Sequence, residues 1–211
     1  MDAFPLDRLR DALNGPLPGH DHFLELSGYK RPDLERARAA DPPPRESAVL
    51  ALLFPQDGQW RTLLMRRPDY EGVHGGQISF PGGRWEPQDA SLEHTALREF
   101  MEETGALDTR IEVLGQLSPV YIPPSRSLVT PFVGVAHALA PVAPDPREVA
   151  ELIQLPLELL HRDDILKRRE QFINVLGRSV EIPYFDVHGH VVWGATAMML
   201  AELRELLHGL R

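Results

Sequence analysis

Three glutamates stand close together in the segment that follows a glycine pair near the middle of the chain. Glu99, Glu102 and Glu103 lie in a run with a helical pattern, and at about 100° of rotation per residue they fall on one edge of a helix. Like charges on neighbouring turns destabilise a helix, so a fold that keeps these acids together is expected to place a cation between them. Carboxylate oxygens suit Mg²⁺ or Mn²⁺. The spacing therefore predicts a divalent-metal site for phosphate chemistry.

The residues around the acids favour a functional site over an ordinary solvated acidic face. A turn at 80–83 precedes the predicted helix, and Gly105 stands where the helix would end. Gly82 and Gly83 let the backbone approach a ligand closely. Arg98 is interpreted structurally, because a permanently charged guanidinium among acids can orient one of them.

The stretch that begins at the glycine pair and ends in REFMEETGA resembles the Nudix box, G-x5-E-x7-R-E-U-x-E-E-x-G-U, in which U is a bulky apolar residue. The second half matches at Arg98, Glu99, Glu102, Glu103 and Gly105. The first half has one extra residue, so Gly83 and Asp89 keep the x5 spacing and Asp89 takes the place of the acid that supports Arg98. The resemblance implies an α/β fold, namely the Nudix α/β/α sandwich with a mixed β-sheet.

A second resemblance lies upstream, where LLMRRPDYEGVHGGQISFPGG is similar to the signature of Nudix coenzyme A pyrophosphatases, LLT-x-R followed by G-x3-FPGG. Arg67, Gly76 and the turn at 80–83 occupy the corresponding positions, whereas Met65 replaces a threonine and Gly72 an arginine. Two segments outside the core also look like this subfamily: LPG at 17–19 and WGATAMML at 193–200.

These resemblances imply hydrolysis of coenzyme A at its pyrophosphate, which gives 4′-phosphopantetheine and 3′,5′-ADP. Mg²⁺ or Mn²⁺ would be held by Glu99 and Glu103 as principal ligands, with Glu102 binding a second ion or positioning water. A general base comes from a later loop in this family, and Glu148 and Glu151 are the two candidates in the acidic stretch REVAEL.

The cations nearest to the glycine turn are the candidates for binding the substrate's phosphates. They are Arg66, Arg67 and Arg84, and the backbone of Gly82 and Gly83 completes the predicted substrate site. His74 is a weaker candidate for a phosphate contact or a base, and Trp193 is predicted to lie in the core.

Two alternatives remain open at this point. The departures at Met65 and Gly72 favour another nucleoside-diphosphate derivative, such as ADP-ribose or another nucleotide sugar, if they alter the pocket. A catalytically inactive Nudix-like module that binds a nucleotide is the alternative of another class, and the three intact glutamates speak against it.

Composition limits the classes of function. The chain has 211 residues, 43% hydrophobic content, no cysteine and a net charge of −9. The charge argues against a nonspecific nucleic-acid partner, and the apolar runs are shorter than the ~20 residues of a membrane helix. We expect a cytoplasmic enzyme without disulfides that acts on a small nucleotide, and whether it forms a homodimer is left open.

Length and periodicity predict one domain, which the resemblance implies to be a Nudix domain, with its core at about 46–165, an N-terminal extension at 1–45, and a C-terminal hairpin and helix at 170–211. Outside the acidic helix, helices are predicted at 5–14, 156–169 and 194–210, with a loop over 15–44. Strands are predicted at 47–54, 60–66, 111–121, 128–138 and 149–154, and a hairpin near 172–187.

Overall fold

The computed structural model describes residues 4–28, 34–69, 75–173 and 176–210. Its α-helices are α1 (Leu6–Leu13), α2 (Asp21–Glu25), α3 (Leu34–Arg38), α4 (Leu92–Thr104) and α5 (Gly194–His208). The first eight strands are β1 (Arg45–Gln56), β2 (Gln59–Arg66), β3 (Ile78–Ser79), β4 (Gly82–Arg84), β5 (Glu112–Gln116), β6 (Val120–Ile122), β7 (Ser127–Val135) and β8 (Glu151–Pro156). The last three are β9 (Leu166–Ile173), β10 (Arg178–Val187) and β11 (His190–Trp193).

The first eight strands form one mixed sheet. Its main path runs β3-β2-β1-β7-β5, while β4 pairs with β1, β6 with β7 and β8 with β2. β1 and β7 run parallel, and the other pairs are antiparallel. β1 and β2 form the predicted hairpin, which closes at Gln56 opposite Gln59.

Both faces of β1 are buried, as its apolar sequence predicts. Leu50 and Leu52 pack in one cluster with Phe100 of α4. Leu53, on the opposite face of the strand, belongs to a second cluster that contains Leu200 of α5. Helices therefore cover the sheet on both sides, and the structure confirms the α/β/α sandwich with a mixed sheet.

The prediction of a helix at 156–169 is wrong. The segment forms two short 3₁₀ helices at Leu157–His161 and Asp163–Ile165 and then enters β9. β9, β10 and β11 make a separate three-stranded antiparallel sheet. Charged residues of β9 pair across it: Lys167 Nζ lies 2.6 Å from Asp186 Oδ2, and Arg168 NH1 lies 2.8 Å from Glu181 Oε1. These partners on β10 stabilise a strand in a run whose local composition favours a helix.

Three smaller predictions also need correction. The loop expected over 15–44 contains α2 and α3. The strand expected at 111–121 is divided into β5 and β6 by a break that contains Pro119, which cannot donate a ladder hydrogen bond. The two strands β3 and β4, which flank Pro81, were not predicted, because each is too short to show periodicity.

A buried carboxylate joins the N-terminal segment to the last helix. Glu202 of α5 is 1% exposed, and it accepts hydrogen bonds from the Gly19 N–H at 2.9 Å, the Ser118 N–H at 2.9 Å and the Ser118 hydroxyl at 2.6 Å. These contacts hold α5 against the break between β5 and β6. Among the described residues, no helix is long and apolar enough to cross a membrane.

Candidate active site

Helix α4 carries the predicted acids and begins at a side-chain cap. Ser91 Oγ accepts a hydrogen bond from the His94 N–H at 3.1 Å, and the helix ends at Gly105 in a left-handed conformation. Between these ends, Glu99 and Glu103 lie one turn apart and both line a cavity of about 790 Å³. A ligand that enters this cavity can therefore contact both acids.

Glu103 is the more buried of these two glutamates, with 6% of its surface exposed. Its Oε2 accepts a hydrogen bond from the Gly82 N–H at 2.7 Å, and its Oε1 lies 3.6 Å from Arg67 NH2. Burial raises the pKa of Glu103 to about 7, with further contributions from the negative charges of Glu99 and Glu148, although Arg67 and the Gly82 N–H oppose the shift. A cation beside this carboxylate would relieve the unfavourable charge.

Glu99 lies directly against the glycine turn. A side chain at Gly83 would overlap the Glu99 carboxylate, and one at Gly82, whose φ is +155°, would overlap the backbone of β1. The two glycines are therefore required by the close approach of β1, β4 and α4. Burial also raises the pKa of Glu99, and the adjacent Arg98 guanidinium opposes this shift.

Arg98 is the centre of an ion-pair network beneath the acids. Its NH1 lies 3.1 Å from Glu99 Oε1 and 3.0 Å from Glu102 Oε2. Its Nε and NH2 donate to the two oxygens of Asp89 at 2.9 and 2.8 Å, and NH2 also donates to the Arg84 carbonyl at 3.1 Å. A planar guanidinium held on two sides fixes the orientation of the glutamates beside it.

Asp89 is the buried anchor of that network, with 4% of its surface exposed. Besides Arg98, it accepts hydrogen bonds from the Thr95 hydroxyl at 2.9 Å and the Glu86 N–H at 3.1 Å, and its Oδ1 lies 3.0 Å from His94 Nδ1. The paired Arg98 guanidinium holds the pKa of Asp89 well below its usual range. The acid of the longer loop thus contacts Arg98, as the spacing predicts.

The carboxylates fit a divalent cation in their chemistry. Glu99 and Glu103 offer oxygen ligands from one wall of the cavity, and burial raises the pKa of each. Over the described parts of the chain, no group of three or more acidic or histidine side chains is already arranged as a metal site. The reason is visible in the contacts, since Arg98 engages Glu99 and Glu102 while Arg67 engages Glu103.

Two residues of a later loop also line the cavity. Glu148, one of the two candidate bases, is among the lining residues and is close enough to raise the pKa of Glu103. The preceding residue, Arg147, also lines the cavity and was not proposed from the sequence. The Asp145 carboxylate holds the Arg147 guanidinium, with Nε at 3.0 Å and NH2 at 2.5 Å from Oδ2.

The cavity gathers most, but not all, of the predicted substrate residues. Arg67, Gly82, Gly83 and Arg84 line it. Arg66 is not among the lining residues, and its guanidinium pairs with Glu151 at 3.4 Å and Asp69 at 3.5 Å, so the structure does not bring it to the cavity with Arg67 and Arg84. Glu151, the other candidate base, is likewise absent from the lining residues.

Three further predictions have different outcomes. The Glu102 side chain is 56% exposed and lies outside the cavity, where its described partner is Arg98. Trp193 was expected in the core but forms part of the cavity wall and is half-buried, because it stands at the start of α5. His74 lies outside the described residues.

Comparisons with known proteins agree with this geometry. A family model described as NUDIX domain matches residues 44–176. The Nudix hydrolase NudL of Photorhabdus laumondii is 34% identical over 149 residues, covering 68% of this chain and 75% of that protein. NudL of Yersinia pestis is 36% identical over 146 residues, covering 68% and 70%.

A solved structure supports the fold. The crystal structure of RenU, a Nudix hydrolase from M. Smegmatis, aligns with a TM-score of 0.54 at 19% identity, covering 79% of this chain and 88% of RenU. The family match spans the sheet, the glycine turn and the acidic helix described above. The chain belongs to the Nudix family of hydrolases.

Proposed function

We propose that this Nudix hydrolase cleaves the pyrophosphate bond of coenzyme A, with Mg²⁺ or Mn²⁺, to give 3′,5′-ADP and 4′-phosphopantetheine. One observation carries the proposal: Glu99 and Glu103 face a single cavity whose wall also contains Arg67, Arg84 and the glycine turn. One cavity thus combines acids that suit a metal with cations that suit phosphate. Its glycine turn also lets the backbone come close to a ligand.

Glu99 and Glu103 would hold the cation, and Glu102 would need to leave Arg98 to join them. When bound, the divalent ion neutralises charge that develops on the pyrophosphate and lowers the pKa of a water molecule. Arg98 and Asp89 keep the Glu99 carboxylate oriented toward the cavity. The Gly82 N–H fixes one oxygen of Glu103, which leaves the other oxygen near Arg67.

The remaining roles fall to other charged residues of the cavity lining. Glu148 takes the proton from the attacking water, because it lines the cavity near Glu103. Glu151 does not line the cavity and pairs with Arg66 instead. Arg67, Arg84 and Arg147 bind the phosphate oxygens. Water attacks one phosphorus, the bridging P–O bond breaks, and each product keeps one of the two phosphates of the pyrophosphate, while 3′,5′-ADP also keeps the 3′-phosphate of the ribose.

The resemblance upstream of the Nudix box favours coenzyme A over ADP-ribose or another nucleotide sugar. The cavity is also lined by apolar side chains such as Ile122 and Trp193, which adds to this preference because coenzyme A has a long uncharged arm on one side of its pyrophosphate. A cytoplasmic location and the question of a homodimer stay predictions from the sequence.

The test is to incubate the protein with coenzyme A and Mg²⁺ or Mn²⁺ and to identify the products by mass spectrometry. We expect 3′,5′-ADP and 4′-phosphopantetheine in equal amounts, and none after chelation or in Glu103→Gln. Formation of dephospho-coenzyme A alone would contradict the proposed bond. Cleavage of ADP-ribose with no cleavage of coenzyme A would favour the nucleotide-sugar alternative.

A further inference from the structure

The cavity is lined by both charged and uncharged residues. The charged ones are Arg67, Arg84, Glu99, Glu103, Arg147 and Glu148, and of these Arg67 pairs with Glu103 at 3.6 Å. The uncharged part of the lining includes Ser79, the 3₁₀ turn Pro123–Ser125, the start of α5, and Ile173 and Leu176. A ligand that fills the whole cavity must therefore have one anionic and one uncharged portion.

Two hydroxyls in the uncharged part are buried without a partner. Ser79 Oγ and Ser125 Oγ are shielded from solvent and have no hydrogen-bond partner among the described residues, although both serines line the cavity. A buried hydroxyl without a partner is unfavourable for folding. A serine redirects its hydroxyl by rotation about one bond, so a ligand in the cavity can satisfy it without movement of the backbone.

The elements that carry the two serines both pack against α5. Thr196, in the first turn of α5, donates a hydrogen bond from its hydroxyl to the Ile78 carbonyl at 2.9 Å, which places Ser79 beside the helix start. β6 also packs against α5, and the turn that contains Ser125 follows β6 directly. Trp193 and Ile122 also line the cavity and are apolar.

We propose that Ser79 and Ser125 are substrate-specificity residues that bind the uncharged, amide-bearing arm of the substrate. This inference rests on the proposed coenzyme A activity and assigns the direction in which the substrate lies. Amide groups both donate and accept hydrogen bonds and match serine hydroxyls, while the methylene and methyl groups of the arm pack on Trp193 and Ile122.

The nucleotide portion does not suit this part of the cavity. In coenzyme A that portion carries an additional phosphate on its ribose, and burying a phosphate against uncharged walls would leave it without a compensating charge. Arg84 and Arg147, which also line the cavity, are the cations suited to that phosphate. The arm and the nucleotide therefore contact different residues of the cavity lining.

The test uses Ser79→Ala and Ser125→Ala and measures thermal unfolding together with binding of the two products. We expect an unchanged or higher Tm, because each substitution removes an unsatisfied buried hydroxyl. Affinity for 4′-phosphopantetheine should fall about 3- to 10-fold in each variant, as for loss of a neutral hydrogen bond. Affinity for 3′,5′-ADP should stay the same. A serine with only a structural role would not give this combination.

Ser118→Ala is the matched control, since its hydroxyl has a partner in Glu202 and it is not among the cavity-lining residues. It should lower Tm and leave both affinities unchanged. The inference is overturned if the wild-type protein does not bind 4′-phosphopantetheine, if neither serine variant weakens that binding, or if 3′,5′-ADP is the product whose affinity falls. Failure of the proposed activity is a separate result: coenzyme A would stay uncleaved while the serine-dependent binding persisted.

Discussion

Asp89 and Arg98 form a two-point ion pair, with Nε to Oδ1 at 2.9 Å and NH2 to Oδ2 at 2.8 Å. Asp89 comes from a loop that is one residue longer than the usual Nudix box and has a shorter side chain than the usual glutamate. It still meets the guanidinium because the loop carries it under the start of α4, where Thr95 also binds it. The pair holds Arg98 in place for Glu99.

This ion pair should make the folding stability of the protein depend on pH in the acidic range. The pKa of Asp89 is lowered in the folded state by Arg98, so its stabilising effect is fully present above the ordinary aspartate pKa of about 3.9 and is lost progressively as the pH falls from there through the lowered pKa of the folded state. We expect Asp89→Asn to lower Tm by several degrees at pH 7 and by a smaller amount near pH 3, where part of the effect remains. Asp164→Asn, which breaks the exposed pair with Arg162, should change Tm little at pH 7. A pH-independent difference for Asp89→Asn would contradict the assignment.

Glu103→Gln should separate stability from activity. The raised pKa of about 7 means that the folded protein binds more protons than the unfolded chain between about pH 4.5 and 7, so ionised Glu103 destabilises the metal-free protein above that window. We expect the variant to be more stable than wild type at pH 8 without metal, by up to about 3 kcal/mol, and similar to it near pH 4. Turnover should fall at least 100-fold, because loss even of residues behind a metal ligand costs 10–100-fold. Lower stability of the variant at pH 8 would refute the destabilising role of ionised Glu103.

Glu148 and Glu151 should differ in their effect on the chemical step. Glu148 lines the cavity, whereas Glu151 pairs with Arg66 at 3.4 Å. We expect Glu148→Gln to lower kcat by roughly 10²- to 10⁴-fold, the usual contribution of a general base, and Glu151→Gln to leave kcat within about 3-fold of wild type. Steady-state kinetics at saturating metal measure both. If Glu151→Gln is the variant that loses turnover, the assignment of the base is wrong.

Arg147 and Arg66 offer a matched pair of cations. Arg147 lines the cavity, and its guanidinium is held by Asp145. Arg66 does not line the cavity, and its guanidinium pairs with Glu151. Loss of a charge-assisted contact to phosphate should lower kcat/KM for coenzyme A by about 10-fold or more in Arg147→Ala, mainly through KM. Arg66→Ala should keep kcat/KM near the wild-type value. Equal losses in the two variants would indicate a general electrostatic effect instead of a contact.

The acidic helix and the central hairpin could be predicted because their signals are local. Glu99 and Glu103 are four residues apart on one helix, and the continuous apolar run of β1 indicates burial on both faces. The sequence also predicts the contact between Asp89 and Arg98, since the x5 spacing from Gly83 is kept. These features depend on residues that are close in the chain.

The remaining site depends on contacts between distant segments. Arg147 reaches the cavity because its loop packs on the end of α4, where the Ala143 N–H donates to the Thr104 carbonyl at 2.9 Å. In the sequence, the one feature that could have indicated a role for Arg147 was its position next to Glu148, a candidate base. Trp193 lies in the cavity wall because it stands where β11 leads into α5. The strand at Lys167 and Arg168 forms by backbone pairing with β10, which also offers opposite charges to these two side chains.

The central claim, that this Nudix site is built for coenzyme A, is tested most directly by kcat/KM for coenzyme A, ADP-ribose and NADH with Mg²⁺. All three offer a pyrophosphate to the same acids, so a preference must come from contacts outside the reacting bond. We expect the highest kcat/KM for coenzyme A and a lower value for dephospho-coenzyme A. Equal values for coenzyme A and ADP-ribose would contradict the claim and leave only a Nudix hydrolase of undetermined preference.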